Sequence, residues 1–394
     1  MQKSSCHIFS SFSECARRHF SKDALIFVKE DGTYQSETYQ SLYQKALALS
    51  TLLKKNGVEP GHRVAVLLEN RPEFSWVCLS ILLAGAVIVP LDTQYDPDML
   101  KHLVSHCGAL LIISAQRLSR RDIGLSGVTW LCIDSAEVNQ AVGQAGTFHD
   151  EPVIPPSDIA ALFYTSGTTA QPKAVVLTHR NLLANIDSIY KTGLVRNDDV
   201  VLSILPLHHT YAFTVTLLCP LLFGMSIAYP KSMASADLLS CIKQACVTVF
   251  VGVPQIFAMI DRAVTDQMDQ LSPGARSAAH SAQQVNLFLR RRVGVNAGPV
   301  IFKKIHQRFG PSLRLMVSGG ARLDPHIARD FYRWGFTLVE GYGLTETSPV
   351  VSFSVPDKPK FGSVGKPLPG ITVRIDQPDE HGRGEVLVRG DNVM

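Results

Sequence analysis

Charge is scarce in this chain of 394 residues. Asp, Glu, Lys and Arg together make up 18% of it, and 38 basic against 34 acidic residues leave a net charge of +4. So small an excess, with no extended Lys/Arg block, gives nucleic-acid binding no electrostatic footing. Paired cysteines are missing as well. Cys6, Cys15, Cys78, Cys107, Cys132, Cys219, Cys241 and Cys246 form no Cys-x-x-Cys pair and recur at no fixed spacing. That excludes a disulfide framework and a cysteine-based zinc centre, and predicts buried free thiols in a reducing compartment. The amino terminus has no uninterrupted apolar core of a secretory signal, because Glu14, Arg17 and Arg18 arrive early, so a cytoplasmic location is expected. Long apolar runs fall short too. Trp76 to Leu91 does not reach the roughly 20 residues that cross hydrocarbon, and Pro220 and Gly224 divide Ala212 to Tyr229. Each is expected to be a buried helix turning into a buried strand.

What the chain does have is the composition of a folded, enzyme-sized protein: 46% apolar residues, with 28 Gly and 22 Pro in no repeat. At roughly 100–200 residues per domain, the length predicts two to three lobes. Helix-like and strand-like patterns alternate through residues 1–150: Tyr39–Lys55, Arg63–Leu68, Glu73–Ala84, Val87–Pro90, Met99–His106 and Leu110–Ser114. Such alternation predicts a parallel sheet with helices on both faces. The polar stretch from Gly143 to Ser157 is the candidate boundary, and residues 151–355 resume the alternation through Val200–Leu205, Ser226–Tyr229, Thr248–Val251 and Leu313–Ser318. Over 356–394, short Gly/Pro-punctuated strands at Thr372–Ile375 and Glu385–Arg389 predict a third, β-rich lobe. The expected fold is α/β: two doubly wound, mostly parallel lobes plus a small distorted barrel. Between Gln267 and Gln307, a segment containing Phe288-Leu289-Arg290-Arg291-Arg292 reads as a solvated helical excursion. Its sharper reading is a surface that meets an anionic membrane or shapes an apolar substrate tunnel.

The most specific segment runs from Phe163 to His179. An apolar strand enters a loop of Thr165, Ser166, Gly167, Thr168 and Thr169, followed by Ala170, Pro172, Lys173 and Ala174. Hydroxyls and backbone N–H groups can donate to polyphosphate oxygens while Lys173 adds a point charge. It is not a Walker A loop, because Pro172-Lys173-Ala174 stands where Gly-Lys-Ser/Thr would be needed. A Ser/Thr-rich turn of purely structural role is the alternative for the first five residues alone. Downstream, Val317-Ser318-Gly319-Gly320-Ala321 and Val339-Glu340-Gly341-Tyr342-Gly343-Leu344-Thr345-Glu346-Thr347 read as strand ends running into glycine-rich turns. Gly341 and Gly343 would admit a flat ring, Tyr342 would stack on it, and Glu346 is a hard oxygen ligand suited to Mg²⁺.

These motifs, with Pro206-Leu207-His208-His209, resemble the adenylate-forming superfamily of acyl-CoA synthetases, peptide-synthetase adenylation domains and luciferases. Gly362-Ser363-Val364-Gly365-Lys366-Pro367 and the Gly341–Pro349 wording are most similar to long-chain fatty acid CoA ligases, and the resemblance covers the chain from about residue 10 onward, its amino-terminal domain only. It implies ATP phosphates against Thr165, Ser166, Gly167, Thr168, Thr169 and Lys173. It implies adenine against Tyr342, Gly341, Gly343 and the Gly319-Gly320-Ala321 turn, a phosphate contact at Thr345, and Mg²⁺ at Glu346 with Thr165. His209 matches a position near the acyl and adenylate groups, with His208 packing behind. Gly252, Val253 and Pro254, with Gly320, match the acid pocket, although alone they would be a turn. Lys173, His209, Thr345 and Glu346 are thereby the expected catalytic set. The reaction implied is activation of a fatty acid to acyl-AMP with ATP and Mg²⁺, then transfer to coenzyme A.

Two departures stand out. Ala170 and Ala174 occupy positions where the family has glycine, so a positive φ there would cost about 1 kcal/mol or more. The ribose-binding Thr-Gly-Asp, the hinge and the lysine-bearing carboxy-terminal domain do not appear by Met394, which leads to the expectation of nucleotide and adenylate binding with little thioester formation. Peripheral membrane contact and an oligomer stay open, as do two other functions: a ligase for a shorter or aromatic acid or for carrier-protein loading, and a non-catalytic nucleotide-binding module. Gly-x-Ser-x-Gly and His-x4-Asp motifs are absent, which removes α/β-hydrolase and acyltransferase chemistry of those types.

Overall fold

The computed structural model describes residues 7–29, 32–118, 124–143, 152–165, 172–356 and 358–394. In chain order it sets helix α1 (Ile8–Arg18), strands β1 (Asp23–Val28) and β2 (Tyr34–Thr38), α2 (Tyr39–Lys55), β3 (Arg63–Leu67), α3 (Glu73–Leu83), β4 (Val87–Pro90), α4 (Pro97–Cys107), β5 (Ala109–Ser114), β6 (Thr129–Cys132) and α5 (Ala136–Gly143). There follow β7 (Ile159–Thr165), β8 (Lys173–Thr178), α6 (His179–Lys191), β9 (Val200–Leu202), α7 (Thr210–Ala212), a π-helical turn (Phe213–Leu218), α8 (Cys219–Leu222), β10 (Ser226–Tyr229), α9 (Ser235–Gln244) and β11 (Val249–Gly252). The last third holds α10 (Pro254–Asp269), α11 (Pro273–Phe288), a second π turn (Leu289–Val293), α12 (Gly298–Ile301), α13 (Lys303–Phe309), β12 (Leu315–Ser318), α14 (Pro325–Trp334), β13 (Leu338–Gly343), β14 (Val350–Phe353), β15 (Lys366–Pro367), β16 (Thr372–Asp376) and β17 (Glu385–Arg389).

Local chemistry sets these boundaries. The Thr38 hydroxyl caps α2 by accepting from Ser41 N–H at 3.2 Å, and Leu42, Ala46, Leu49 and Leu53 form its buried stripe. Asp96 caps α4, Pro97 opens it, and Gly108 closes it in the left-handed region at φ 62°. Val87–Pro90 is buried at every position, as a central parallel strand should be. The two suspected membrane runs are helix followed by strand, α3 into β4 and α7–α8 into β10. Among the described residues no helix is long and apolar enough to cross a membrane.

Two sheets share one continuous apolar core. The six-stranded sheet runs β6-β5-β3-β4-β7-β8, parallel except for its edge strand β8. The nine-stranded sheet runs β15-β14-β13-β12-β11-β9-β10-β1-β2, parallel from β13 to β1. Sheet membership differs from a division at residue 150. β7 and β8 complete the earlier sheet, while β1 and β2, which the sequence pattern left unread, pair with β10 in the later one. The third lobe is no barrel. β14 and β15 extend the nine-stranded sheet, leaving β16 and β17 as a two-stranded ribbon that has too few strands to close. The described cysteines are free, most of them buried, but Cys246 is exposed.

Candidate active site

The carboxyl ends of β9, β11, β12 and β13 open side by side, the place where an open α/β sheet receives ligands. Gly252 pairs with Ser318 and Ser318 with Glu340, and Gly319 N–H donates to the Gly252 carbonyl at 3.1 Å. The Gly252-Val253-Pro254 turn, the Gly319-Gly320-Ala321 turn and the Gly341–Gly343 stretch, with Tyr342 half-buried between its glycines, therefore form adjacent rims. Gly343 has no room for a side chain, since a Cβ there would stand 1.8 Å from the Pro349 carbonyl oxygen. The antiparallel return of β14 accounts for that glycine before any ligand is considered.

Thr345–Thr347 make a 3-10 turn just beyond β13, held from several sides. Asn185 on α6 donates to the Val350 carbonyl at 2.6 Å and accepts from its N–H at 3.2 Å. Thr214 Oγ1 donates to the Ser348 carbonyl at 3.3 Å, Asn392 Nδ2 to the Thr347 carbonyl at 2.9 Å, and Met394 N–H to the Glu346 carbonyl at 3.0 Å. Asn181 ties the 391–394 segment down by donating to the carbonyls of Asp391 and Val393 at 2.9 and 2.8 Å. This framework leaves Thr345 and Glu346 partly exposed at the rim.

Strand β8 adjoins the same turn. Lys173 is its first residue, exposed and paired with Thr165 at the mouth of the β7–β8 hairpin, with the Thr165 hydroxyl 3.5 Å from the Lys173 carbonyl. Ser166, Gly167, Thr168, Thr169 and Ala170 lie outside the described residues. Ala174 sits in regular strand opposite Tyr164 with no positive φ, so the strain expected of an alanine there does not arise.

The profile of the family described as AMP-binding enzyme matches residues 12–394. The chain belongs to that family. It is 30% identical over 411 residues to the peroxisomal long chain acyl-CoA synthetase 6 of Arabidopsis thaliana, with 92% of this chain and 57% of that protein covered. It is 29% identical to a feruloyl-CoA synthase of an Amycolatopsis species, with 93% and 67% covered. The chain thus spans little more than half to two thirds of the length of these relatives. The inhibitor-bound N-terminal domain of FACL13 from Mycobacterium tuberculosis shares the fold at a TM-score of 0.77 and 21% identity, with 98% of this chain and 89% of that one covered.

His208 and His209 close the loop after β9, their rings 4.2 Å apart. Burial lowers the His208 pKa to about 4, with His209 beside it acting in the same sense and Asp92 against it. The His208 Nε2 lies 3.6 Å from the Asp92 carboxylate, which fits a packing role. His209 stands more open to solvent than His208, and the partial burial of its ring lowers its pKa as well, with Asp92 acting against that shift.

One residue at the rim escaped sequence reading. Tyr211, on α7, lays its ring against Gly319, where a Cβ would stand 2.6 Å from the ring and 2.8 Å from the hydroxyl. That hydroxyl is buried and has no hydrogen-bond partner among the described residues. A separate cavity of about 20 Å³ is lined by apolar groups that include Val215, Val251, Val317 and Phe353.

As for ions, among the described residues no three His, Cys, Asp or Glu side chains converge. An ion held by Glu346 would be shared with phosphate oxygens, the arrangement Mg²⁺ favours. Helix α4 does carry a His-x-x-x-His spacing, His102 and His106, with rings 6.1 Å apart. His106 instead shares a 2.8 Å hydrogen bond with the Tyr164 hydroxyl.

Proposed function

We propose that the protein activates a fatty-acid carboxylate with ATP to give acyl-AMP and pyrophosphate, and that the complete enzyme transfers the acyl group to coenzyme A in a reducing, cytoplasmic setting. The observation that carries this reading is the meeting of the Lys173 strand with the Thr345–Thr347 turn beside the Gly319–Ala321 and Gly341–Gly343 rims. A carboxylic acid with a pKa near 4 is already ionised at pH 7, so the step needs no general base. It needs alignment with the α-phosphate and charge stabilisation on the departing pyrophosphate.

In this reading Lys173 and the Thr165 and Thr345 hydroxyls hold phosphate oxygens, with Ser166, Gly167, Thr168 and Thr169 completing the cradle. Glu346, with Thr165, would hold Mg²⁺, which supplies charge neutralisation at the phosphates. Tyr342, Gly341, Gly343, Gly319, Gly320 and Ala321 frame the adenine, and Gly252, Val253, Pro254 and Gly320 frame the acid. His209 stands beside the acyl and adenylate groups. A shorter or aromatic acid is the second reading. It is favoured by the Tyr211 hydroxyl, buried against Gly319 next to Gly320 with no polar partner among the described residues, and by the feruloyl-CoA synthase among the relatives.

The test is ATP–pyrophosphate exchange across acids from short to long and aromatic. Lys173→Ala is expected to lower exchange about 100-fold, and Glu346→Gln to weaken Mg-ATP more than acid. Equal losses of both ligands in Glu346→Gln would remove its assigned role. Absence of exchange with every acid, alongside tight nucleotide binding, would favour a non-catalytic module.

A further inference from the structure

Between Asp269 and Asp324 the chain carries nine Lys and Arg residues and no Asp or Glu, and without those nine charges its net +4 would become −5. The same stretch reverses the usual burial of a helix. On α11 the inward positions are polar, Gln283 at 6% exposure and Asn286 at 0%. Val285 and Phe288, on the other side of the helix, are 52% and 61% exposed.

The inward groups are committed to the carboxyl end of α14, whose last carbonyls have no partners within their own helix. Arg290 donates to the carbonyls of Tyr332 and Phe336 at 2.8 and 3.0 Å. Asn286 donates to that of Arg333 at 2.9 Å, and Asn296 to that of Gly335 at 2.7 Å. The His306 ring completes the set, its Nε2 2.9 Å from the Trp334 carbonyl. With polar chemistry spent inward, the apolar side chains face out: after Phe288 come Val293 at 59%, Val295 at 51% and Val300 at 81% exposure. Arg291, Arg292, Lys303 and Lys304, all exposed, are interspersed with them.

We propose that this surface, residues 285–304, docks on an anionic lipid bilayer. Valine and phenylalanine side chains would enter the acyl boundary while the flanking arginines and lysines meet lipid phosphates, a pairing that isolated apolar groups within a one-sign field suit. A second copy of the chain fits worse, because a two-fold contact would set Arg291 and Arg292 against their own counterparts. Arg290 is excluded from the lipid-facing set, since its guanidinium lies 3.7 Å over the Tyr332 ring and caps α14. The proposal is independent of which acid the site takes.

Flotation with phosphatidylcholine vesicles, with and without phosphatidylserine, tests it. The chain is expected to float only with phosphatidylserine and to be released by salt. Phe288→Ser and the pair Arg291→Glu, Arg292→Glu should each cut partitioning about tenfold, whereas Arg291→Lys with Arg292→Lys should retain it. Thermal unfolding of each variant separates loss of binding from loss of fold. Equal flotation of wild type and Phe288→Ser would overturn the proposal, as would no flotation at all. A dimer in sedimentation that Phe288→Ser dissociates would do the same.

Discussion

Helices α6 and α11 each bury an asparagine completely and use it in the same way. Asn185 donates to the Val350 carbonyl and accepts from the same residue's N–H, and Asn286 donates to the Arg333 carbonyl and accepts from Ala297 N–H at 2.9 Å. Around Asn185, however, α6 also buries Leu182, Leu183, Ile186 and Ile189, whereas α11 turns Val285 and Phe288 outward. A buried polar group must find its partner, and both helices satisfy that rule. Only α6 adds the apolar stripe that supplies most of a helix's tertiary stability. The turn that α6 holds is thereby fixed from two independent sources, while α11 depends on its hydrogen bonds and leaves its apolar side for another surface.

The largest expected effect probes the start of α6. His179 is 1% exposed, accepts from Ile8 N–H through Nδ1 at 3.3 Å, and has its pKa lowered to about 3, chiefly by burial and then by His7. A depressed folded-state value means that the unfolded chain takes up the proton first. Stability is therefore fully present above the unfolded value of about 6.5 and is lost as the pH falls toward 3. Between pH 6.5 and pH 4 this site alone should remove about 3 kcal/mol, read from denaturant unfolding at each pH. His179→Gln should flatten that slope, and an unchanged slope would show that the junction of α1 and α6 is not the titrating element.

The next effect tests the other helix. Arg290→Ala removes two charge-assisted hydrogen bonds and a cation–π contact and should cost about 2 kcal/mol. Arg291→Ala and Arg292→Ala, on the exposed side, should fall within about 0.5 kcal/mol of wild type. If all three cost the same, the inward commitment of α11 to α14 is not what holds the segment in place.

The contrast also explains what was legible beforehand. Tyr39–Lys55 and Ser226–Tyr229 could be read to the residue because each has a single periodicity and a sharp cap or turn. The strand-end rims were legible from Ser318–Ala321 and Gly341–Thr347, where chemistry and tight packing demand particular residue types. β1 and β2 were not, because Asp23–Val28 alternates poorly and its partner β10 lies some 200 residues away in sequence. Nor were Asn185, Asn392 and Arg290, whose partners are distant backbone groups that leave no local pattern. The basic run at Arg290, Arg291 and Arg292 gave no local sign that one of the three turns inward, yet the structure makes Arg290 a helix cap.

Tyr211 breaks the symmetry between the two asparagines, for it is a buried polar group at the same rim with no partner among the described residues. An unpaired buried hydroxyl costs stability that its removal returns. Tyr211→Phe should therefore raise the unfolding free energy by about 1 kcal/mol, an effect smaller than those at His179 and Arg290 and of opposite sign. The acid panel adds a second reading of the same substitution. If the hydroxyl serves a polar substituent, Tyr211→Phe should weaken acids that carry an oxygen near the carboxylate while leaving saturated fatty acids unaffected or improved. If it lies beside a purely alkyl chain, every acid should gain alike. A loss of stability on removing the hydroxyl would mean instead that it already has a partner within the folded chain, and that the rim, like the turn beside it, is satisfied before substrate arrives.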